Sequence, residues 1–338
     1  MQLAIGTEKG GYVLDPATGQ VDGPVFPGWK VTAFGRVPGG DHLAGVGSNW
    51  FGAAVHRSPD FSEWSQVEAG PGYGEERALS EIWTFHAVGD TVYTGVAEAG
   101  LFRSDDGGTT WSGVEGLNQH RTRDQWVPGG GGLCAHSILE ADGTMWAGIS
   151  AVGVFRSEDG GVTWEPKNEG IPSPLSEPDA PRPEVGYCVH ALAHDPAVPD
   201  RIWRQDHAGV FRTEDGGDTW ERIENGLPAG FGFVMCRDHA TQRLFTVPLH
   251  SDGNRVPVDG AFRSYVSEDD GDSWHVAGAG WTDTPDYSSV LRGAVASDGD
   301  GTIAIGTTTG SVWVTEDAGD KWACVPARFP RIGAVSLL

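Results

Sequence analysis

Ser104-Asp105-Asp106-Gly107-Gly108-Thr109-Thr110-Trp111 is the stretch that decides how the rest of the chain is read, because it recurs. The pattern Ser/Thr-x-Asp-x-Gly-x-Thr-Trp returns at Ser157–Trp164 and Thr213–Trp220, and looser copies run over Ser267–Trp274 and Thr315–Trp322. Successive starts lie 53, 56, 54 and 48 residues apart, and a degenerate relative, Ser58-Pro59-Asp60-Phe61-Ser62-Glu63-Trp64, begins 46 residues before the first full copy. Self-similarity at a period near 50 residues marks stacked units rather than one irregular core.

Upstream of each copy stands the same kind of segment, such as Val92-Tyr93-Thr94-Gly95-Val96, a small-residue turn, then Gly100-Leu101-Phe102-Arg103. Alternating apolar positions rich in β-branched and aromatic residues, bounded by glycine turns, predict strands in every unit, and no unit offers a helical face. Within the box, Asp and Ser/Thr side chains suit hydrogen bonds to the backbone of a tight turn, and glycine admits positive φ. The tryptophan is placed to cover the neighbouring strand. Asp106, Asp159, Asp215, Asp269 and Asp317 are therefore expected to be structural, each tying the third strand of a unit to the fourth.

Four-strand units fit residues 30–67, 81–115, 131–168, 186–226, 231–278 and 288–326. A seventh assembles from the two ends: residues 1–22 supply later strands, since Leu3-Ala4-Ile5-Gly6-Thr7 parallels Ile303-Ala304-Ile305-Gly306-Thr307, and residues 331–338 supply the missing first strand. Closing the ring in this way removes exposed sheet edges. The expected fold is all-β, a single seven-bladed β-propeller.

The boxes resemble the BNR, or Asp-box, repeat of a sialidase-like superfamily of β-propellers, which also includes sortilin-type receptors and a cyanobacterial photosystem II assembly factor. The whole chain is similar to single-domain bacterial seven-bladed BNR-repeat proteins, through strings such as Gly131-Gly132-Leu133, Val185-Gly186-Tyr187-Cys188-Val189-His190 and Phe231-Gly232-Phe233. The sialidase resemblance implies three arginines for a substrate carboxylate, a tyrosine nucleophile with a glutamate, and an acid/base aspartate. The Arg-Ile-Pro motif of that group has only Arg331-Ile332-Gly333 as its nearest counterpart, at the opposite end of the chain.

Composition narrows the function. The 338 residues carry 47 acidic against 23 basic side chains, a formal charge of −24, so nucleic acid and anionic membranes are poor partners. The 51 glycines and 21 prolines would suggest disorder, but 38% hydrophobic residues and 14 tryptophans indicate a packed, turn-rich chain. No basic leader with an apolar core opens the sequence and no long apolar run follows, so a cytoplasmic location is expected. Cys134, Cys188, Cys236 and Cys324 lack paired spacings and are read as reduced thiols. No nucleotide cofactor is expected.

The five full boxes hold 14 of the 47 acidic residues and would lie on the lower face. The long, dissimilar connections Gln66–Ser80, Ser112–Gly130, Glu165–Gly186 and Leu249–Gly260 fall on the opposite, upper face, where binding on a rigid scaffold concentrates. Of 11 histidines, His136 and His190 hold matching positions at inner-strand starts, each two residues after a cysteine, Cys134 or Cys188. His207 falls at an upper turn of the same unit as His190, and His250 at the corresponding loop of the next. The expectation is a divalent transition metal, zinc, iron, manganese or copper, on His136, His190 and His207. His250 serves as fourth ligand or proton carrier, and Asp206 or Glu184 as orienting carboxylate. Cys134 and Cys188 are alternative ligands.

Arg292 is the expected cation for a substrate acid group, and Trp83, Trp126, Trp50 and Trp281, with Trp29, the expected apolar wall. A metal-dependent enzyme acting on a small polar or aromatic substrate is the leading expectation. A sialidase-like glycosidase without metal, using carboxylates from Glu81, Glu184, Asp206, Asp252 and Asp286, and a non-catalytic scaffold for a protein or cofactor are the alternatives.

Overall fold

Seven four-stranded antiparallel sheets account for all the named strands of the computed structural model, which describes residues 1–48, 50–74, 77, 79–173 and 182–338. Blade 1 joins the two ends of the chain: Ile332–Leu337 pairs with Leu3–Thr7, followed by Gly10–Leu14 and Val21–Val25. Blades 2 to 7 begin with the inner strands Lys30–Arg36, Glu81–Val88, Ala135–Ala141, Ala191–Asp195, Phe231–Arg237 and Val295–Ser297. The ring is a seven-bladed β-propeller, as the repeats require. Helical structure among the described residues is confined to one α-helical turn, Glu115–Asn118, and 3-10 turns at Arg123–Gln125 and Val258–Gly260.

The boxes close the outer corner of each blade through side-chain hydrogen bonds. Ser104 Oγ donates to Asp106 Oδ1 at 2.8 Å and accepts from the Gly108 N–H at 2.8 Å. The Thr110 N–H and hydroxyl both donate to the same carboxylate, at 2.9 and 2.7 Å. The arrangement repeats around Asp159, Asp215 and Asp269, and in part around Asp317, where Lys321 donates only its N–H. These donors hold the Asp106 and Asp159 carboxyls down at about 2, through Thr110 and Thr163 first.

The box tryptophans do more than cover their own blade. Trp220 Nε1 donates to the Lys167 carbonyl and Trp274 Nε1 to the Ile223 carbonyl, each in the preceding blade. The side chains thus bury a large apolar ring and satisfy an indole N–H across the blade interface.

Near the axis the wedge between blades narrows, and the second strands carry glycine where the next blade's inner strand crosses. A Cβ at Gly95 would meet the Ala135 carbonyl oxygen at 2.2 Å and one at Gly6 the Val31 carbonyl oxygen at 2.7 Å, while Gly45 would collide with the Ile82 side chain at 2.6 Å and Gly148 would press on that of Val189 at 3.0 Å. This recurring glycine sets the close approach of inner strands around a central channel. One cavity of about 290 Å³ runs along that channel and is lined by the inner strands of all seven blades.

Candidate functional site at the channel mouth

Two blades break the glycine rule: blade 6, whose second strand Leu244–Leu249 has no glycine, and, at the channel mouth, blade 5. Its strand Val210–Thr213 aligns with Gly153–Ser157, so by pairing Gln205 stands where Gly148 stands in blade 4. Room is recovered on the other side of the interface: a Cβ at Gly232 of blade 6 would lie 3.1 Å from Gln205 Oε1. Gln205 Nε2 donates to the Gly230 carbonyl at 2.7 Å and its Oε1 accepts from the Thr246 hydroxyl at 3.1 Å. Satisfied in this way, a polar side chain can stay buried.

The same strand end carries Arg204 and Asp206, a buried ion pair with Nε and Oδ2 3.1 Å apart. Arg204 also donates to Asn168 Oδ1 and to the Cys188 carbonyl, both at 3.0 Å. Asp206 Oδ1 accepts the Ala208 and Gly209 N–H groups at 2.5 and 3.1 Å, which fixes the turn presenting His207. Burial pushes the Asp206 carboxyl up to about 6 against the opposing pull of Arg204. Asp206, expected as an orienting or catalytic carboxylate, therefore lies beneath the site and holds the turn.

His190 is fully buried at the head of the blade 5 inner strand. Its Nδ1 donates to the Gly232 carbonyl at 2.6 Å, so Nε2 carries the lone pair, and that atom is buried with no partner in the protein. Burial, then the neighbouring Arg292, hold this imidazole well below its ordinary value, so it is neutral. The His207 ring meets it edge-on, centroids 4.6 Å apart, and His207 Nε2 lies 3.6 Å from Asp252 Oδ1. Cys188, two residues before His190, completes a group whose three donor atoms all lie within 4.8 Å of one another. Burial raises its thiol above the ordinary range, while a hydrogen bond to the Ala151 backbone opposes the shift.

The other sequence-expected residues distribute differently. His136 lines the channel, but Nε2 donates to the Val189 carbonyl at 2.7 Å and Nδ1 takes the Ser137 hydroxyl at 3.1 Å, so both nitrogens are engaged and it stands outside the group. Burial drives its imidazole down to about 3. His250 is exposed beside Ser251 and Asn254, outside the group. Cys134 is buried and its thiol pushed up to about 12 by burial. Glu184 is engaged by Arg121 at 2.5 Å on the surface.

Among the tryptophans only Trp83 lines the channel, edge-on to His136. Trp126 is buried against Phe155 with its indole N–H on Thr122 Oγ1 at 3.0 Å, and Trp281 stacks on Trp322 with its N–H on the Ala277 carbonyl. Both are packing residues, displaced from the expected wall because their rings found loop-to-blade contacts. Trp50 is 88% exposed in the turn between the second and third strands of blade 2, beside Phe51, against which Trp29 stacks. Part of the Glu165–Gly186 connection, 174–181, lies outside the described residues.

Phe233, Ser150 and Gly232 belong to the site without an earlier signal as functional residues. Gly232 acts through its carbonyl, which no side-chain motif marks. Ser150, at the end of the second strand of blade 4, is met by Arg292 from across the ring.

A closed seven-bladed ring with a polar channel mouth, built of repeating four-stranded units, is the class of protein that these features define: a β-propeller. No family model matches the chain. It is distantly similar to a xyloglucanase of Paenibacillus sp, 31% identical over 143 residues, which is 39% of this chain and 13% of the relative. Across the curated xyloglucanases it matches, the chain covers between 13% and 33% of their length. Among solved structures it resembles an ancestral GH74 enzyme, TM-score 0.57 at 14% identity, over 84% of this chain and 36% of that one. It also resembles YCF48 bound to D1 peptide, TM-score 0.56 at 14% identity, over 89% and 84% of the two chains. At these identities the structural likeness is one of fold.

Proposed function

We propose that the channel mouth is a transition-metal centre held by Cys188, His190 and His207, acting on a small molecule that enters the channel. The observation that supports it is the buried, unpartnered Nε2 of His190, oriented by a backbone carbonyl on its other nitrogen as metal-ligating imidazoles are. Tetrahedral ligands at about 2.0–2.3 Å set donor atoms roughly 3.5 Å apart. A spread of 4.8 Å thus asks for about 1 Å of contraction, which rotation of the partly exposed His207 side chain on its fixed turn can supply. Three protein donors would leave a coordination position free, at which a bound metal would supply Lewis-acid chemistry.

Within this reading the chain's own residues have separate tasks. Gly232 fixes the His190 tautomer, the Arg204–Asp206 pair sets the His207 turn, and Asp252 stands beside His207 as an outer carboxylate. The test is elemental analysis of untagged protein after metal loading. Near-stoichiometric metal is expected in the parent chain and in His136→Ala, with loss in His190→Ala and Cys188→Ser. Equal loss in His136→Ala, or retention in His190→Ala, would overturn the donor set.

A second reading is glycan contact at the blade 2 turn, favoured by the similarity to xyloglucanases and by the exposed Trp50 and Phe51, 88% and 81% accessible. Exposed rings of this kind can stack on sugar faces. The check is binding of xyloglucan oligosaccharides to the parent chain and its loss in Trp50→Ala with metal content unchanged.

A further inference from the structure

Arg292 enters from blade 7 and reaches across the channel. Its Nη2 lies 3.4 Å from Ser150 Oγ of blade 4, and its guanidinium carbon is 5.9 Å from the Trp83 ring of blade 3 and 5.1 Å from the Phe233 ring of blade 6. Among the described residues no carboxylate forms an ion pair with it, Asp252 acts on it only from beyond ion-pair distance, and no carboxylate lines the cavity of about 290 Å³ in which it sits. His136 and His190 on the same walls are neutral, so Arg292 supplies the charge of that cavity. Elsewhere the chain pairs its buried guanidiniums, Arg204 with Asp206 and Arg237 with Asp195. An enclosed cation without a paired anion is costly, more so inside a protein of net charge −24 that had acidic residues to spare.

A second observation points the same way. Arg292 Nε and Trp83 Nε1, on two residues that line the cavity, are both buried N–H groups with no acceptor in the protein. A guanidinium edge offers two parallel donors that match the two oxygens of a planar carboxylate, and an indole N–H adds a third. Trp83, Phe34, Phe85 and Met235, which line the cavity, supply an apolar wall for the rest of such a molecule. The volume admits a body of about one ring.

We propose that Arg292 is the anchor of a substrate-binding site for a small planar carboxylate carrying an apolar or aromatic body, with Trp83 as second donor and Phe34, Phe85 and Met235 as wall. The inference rests on the reading of the channel mouth as the substrate site, and it names the substrate class. The carboxylate end is held at Arg292, and the body extends toward the Cys188, His190 and His207 side, whose groups lie within the electrostatic reach of Arg292.

The experiment uses the full chain stripped of metal with a chelator, so that its outcome does not depend on the metal centre. Benzoate, acetate, benzamide and inorganic phosphate are titrated by calorimetry, with tryptophan fluorescence as a parallel readout. One benzoate per chain is expected, bound more tightly than acetate or phosphate, with benzamide weaker by about tenfold or more. Arg292→Met should weaken benzoate by about ten- to a hundredfold, Arg292→Lys should restore part of it, and His250→Ala, at an exposed residue outside the cavity, should leave it unchanged. Trp83→Phe, which keeps the ring and removes the donor, is the milder variant should Arg292→Met fail to fold; it should weaken benzoate by several-fold. Benzamide binding as well as benzoate, phosphate binding more tightly than benzoate, unchanged binding in Arg292→Met, or no binding of any probe at millimolar concentration would each overturn the proposal. Benzoate bound as expected by a chain that never takes up metal would retain the anion site and sink the metal centre alone.

Discussion

Asp206→Asn separates a structural role beneath the channel mouth from a chemical one. Asparagine keeps an oxygen to accept the Ala208 and Gly209 N–H groups, so the turn before blade 5's third strand can persist and only the negative charge is removed. Arg204, 0% exposed against 1% for Asp206, then becomes a buried cation whose remaining acceptors, Asn168 Oδ1 and the Cys188 carbonyl, are neutral. Breaking such a pair from one side costs about 3 kcal/mol, at the lower end of the usual range because two neutral acceptors remain. With unfolding entropy of about 2.1 cal/mol/K per residue, 338 residues give about 0.7 kcal/mol/K, so the midpoint should fall by about 4 °C.

The assay is thermal unfolding followed by circular dichroism at pH 8, where the carboxyl, raised to about 6, is ionised. Arg204→Met combined with Asp206→Asn removes both charges and should recover at least half of the loss. A single variant that melts within about 1 °C of the parent, or a double variant no better than the single one, would refute the buried-charge argument. Asp206 would then be free to act in chemistry.

The remaining predictions concern the scaffold. The Asp106 and Asp159 carboxyls sit at about 2 in the fold, below their ordinary 3.8, so the stability they contribute is complete above pH 4 and lost as pH falls toward 2. Melting midpoints between pH 2 and 6 should show this slope, and Asp159→Asn should flatten it; an unchanged slope would count against the box as an acid-sensitive staple. Trp126→Ala should destabilise by about 3–5 kcal/mol because it empties a buried ring site, whereas Trp50→Ala should stay within about 0.5 kcal/mol. Equal effects in denaturant titrations would contradict their placement in the core and in an exposed turn.

The repeat boxes were legible because their chemistry is local. A Ser hydroxyl, an Asp carboxylate and a Thr two turns of chain later satisfy one another within eight residues, so the pattern survives without reference to the rest of the molecule. From the box spacing followed the strands, the seven units and the pairing of Leu3–Thr7 with Ile332–Leu337. His190 and His207 could be brought to one face for the same reason, since strand alternation and turn position fix which end of a blade a residue occupies.

What the sequence could not determine was which nitrogen of each ring would be free. His136 and His190 hold matching positions in neighbouring blades, yet one has both nitrogens engaged while the other has a lone pair without a partner. Each ring bonds one backbone carbonyl of the next blade, Val189 through Nε2 of His136 and Gly232 through Nδ1 of His190, and His136 finds its second partner in the Ser137 hydroxyl where His190 is followed by Ala191. Nor could spacing show that Arg292, from blade 7, would end between Trp83, Ser150 and Phe233 with no acid beside it. Those neighbours lie up to about two hundred residues away and meet only when the ring closes. Local hydrogen bonding wrote the propeller into the sequence; the charge and ligand state of its channel are set by contacts between blades.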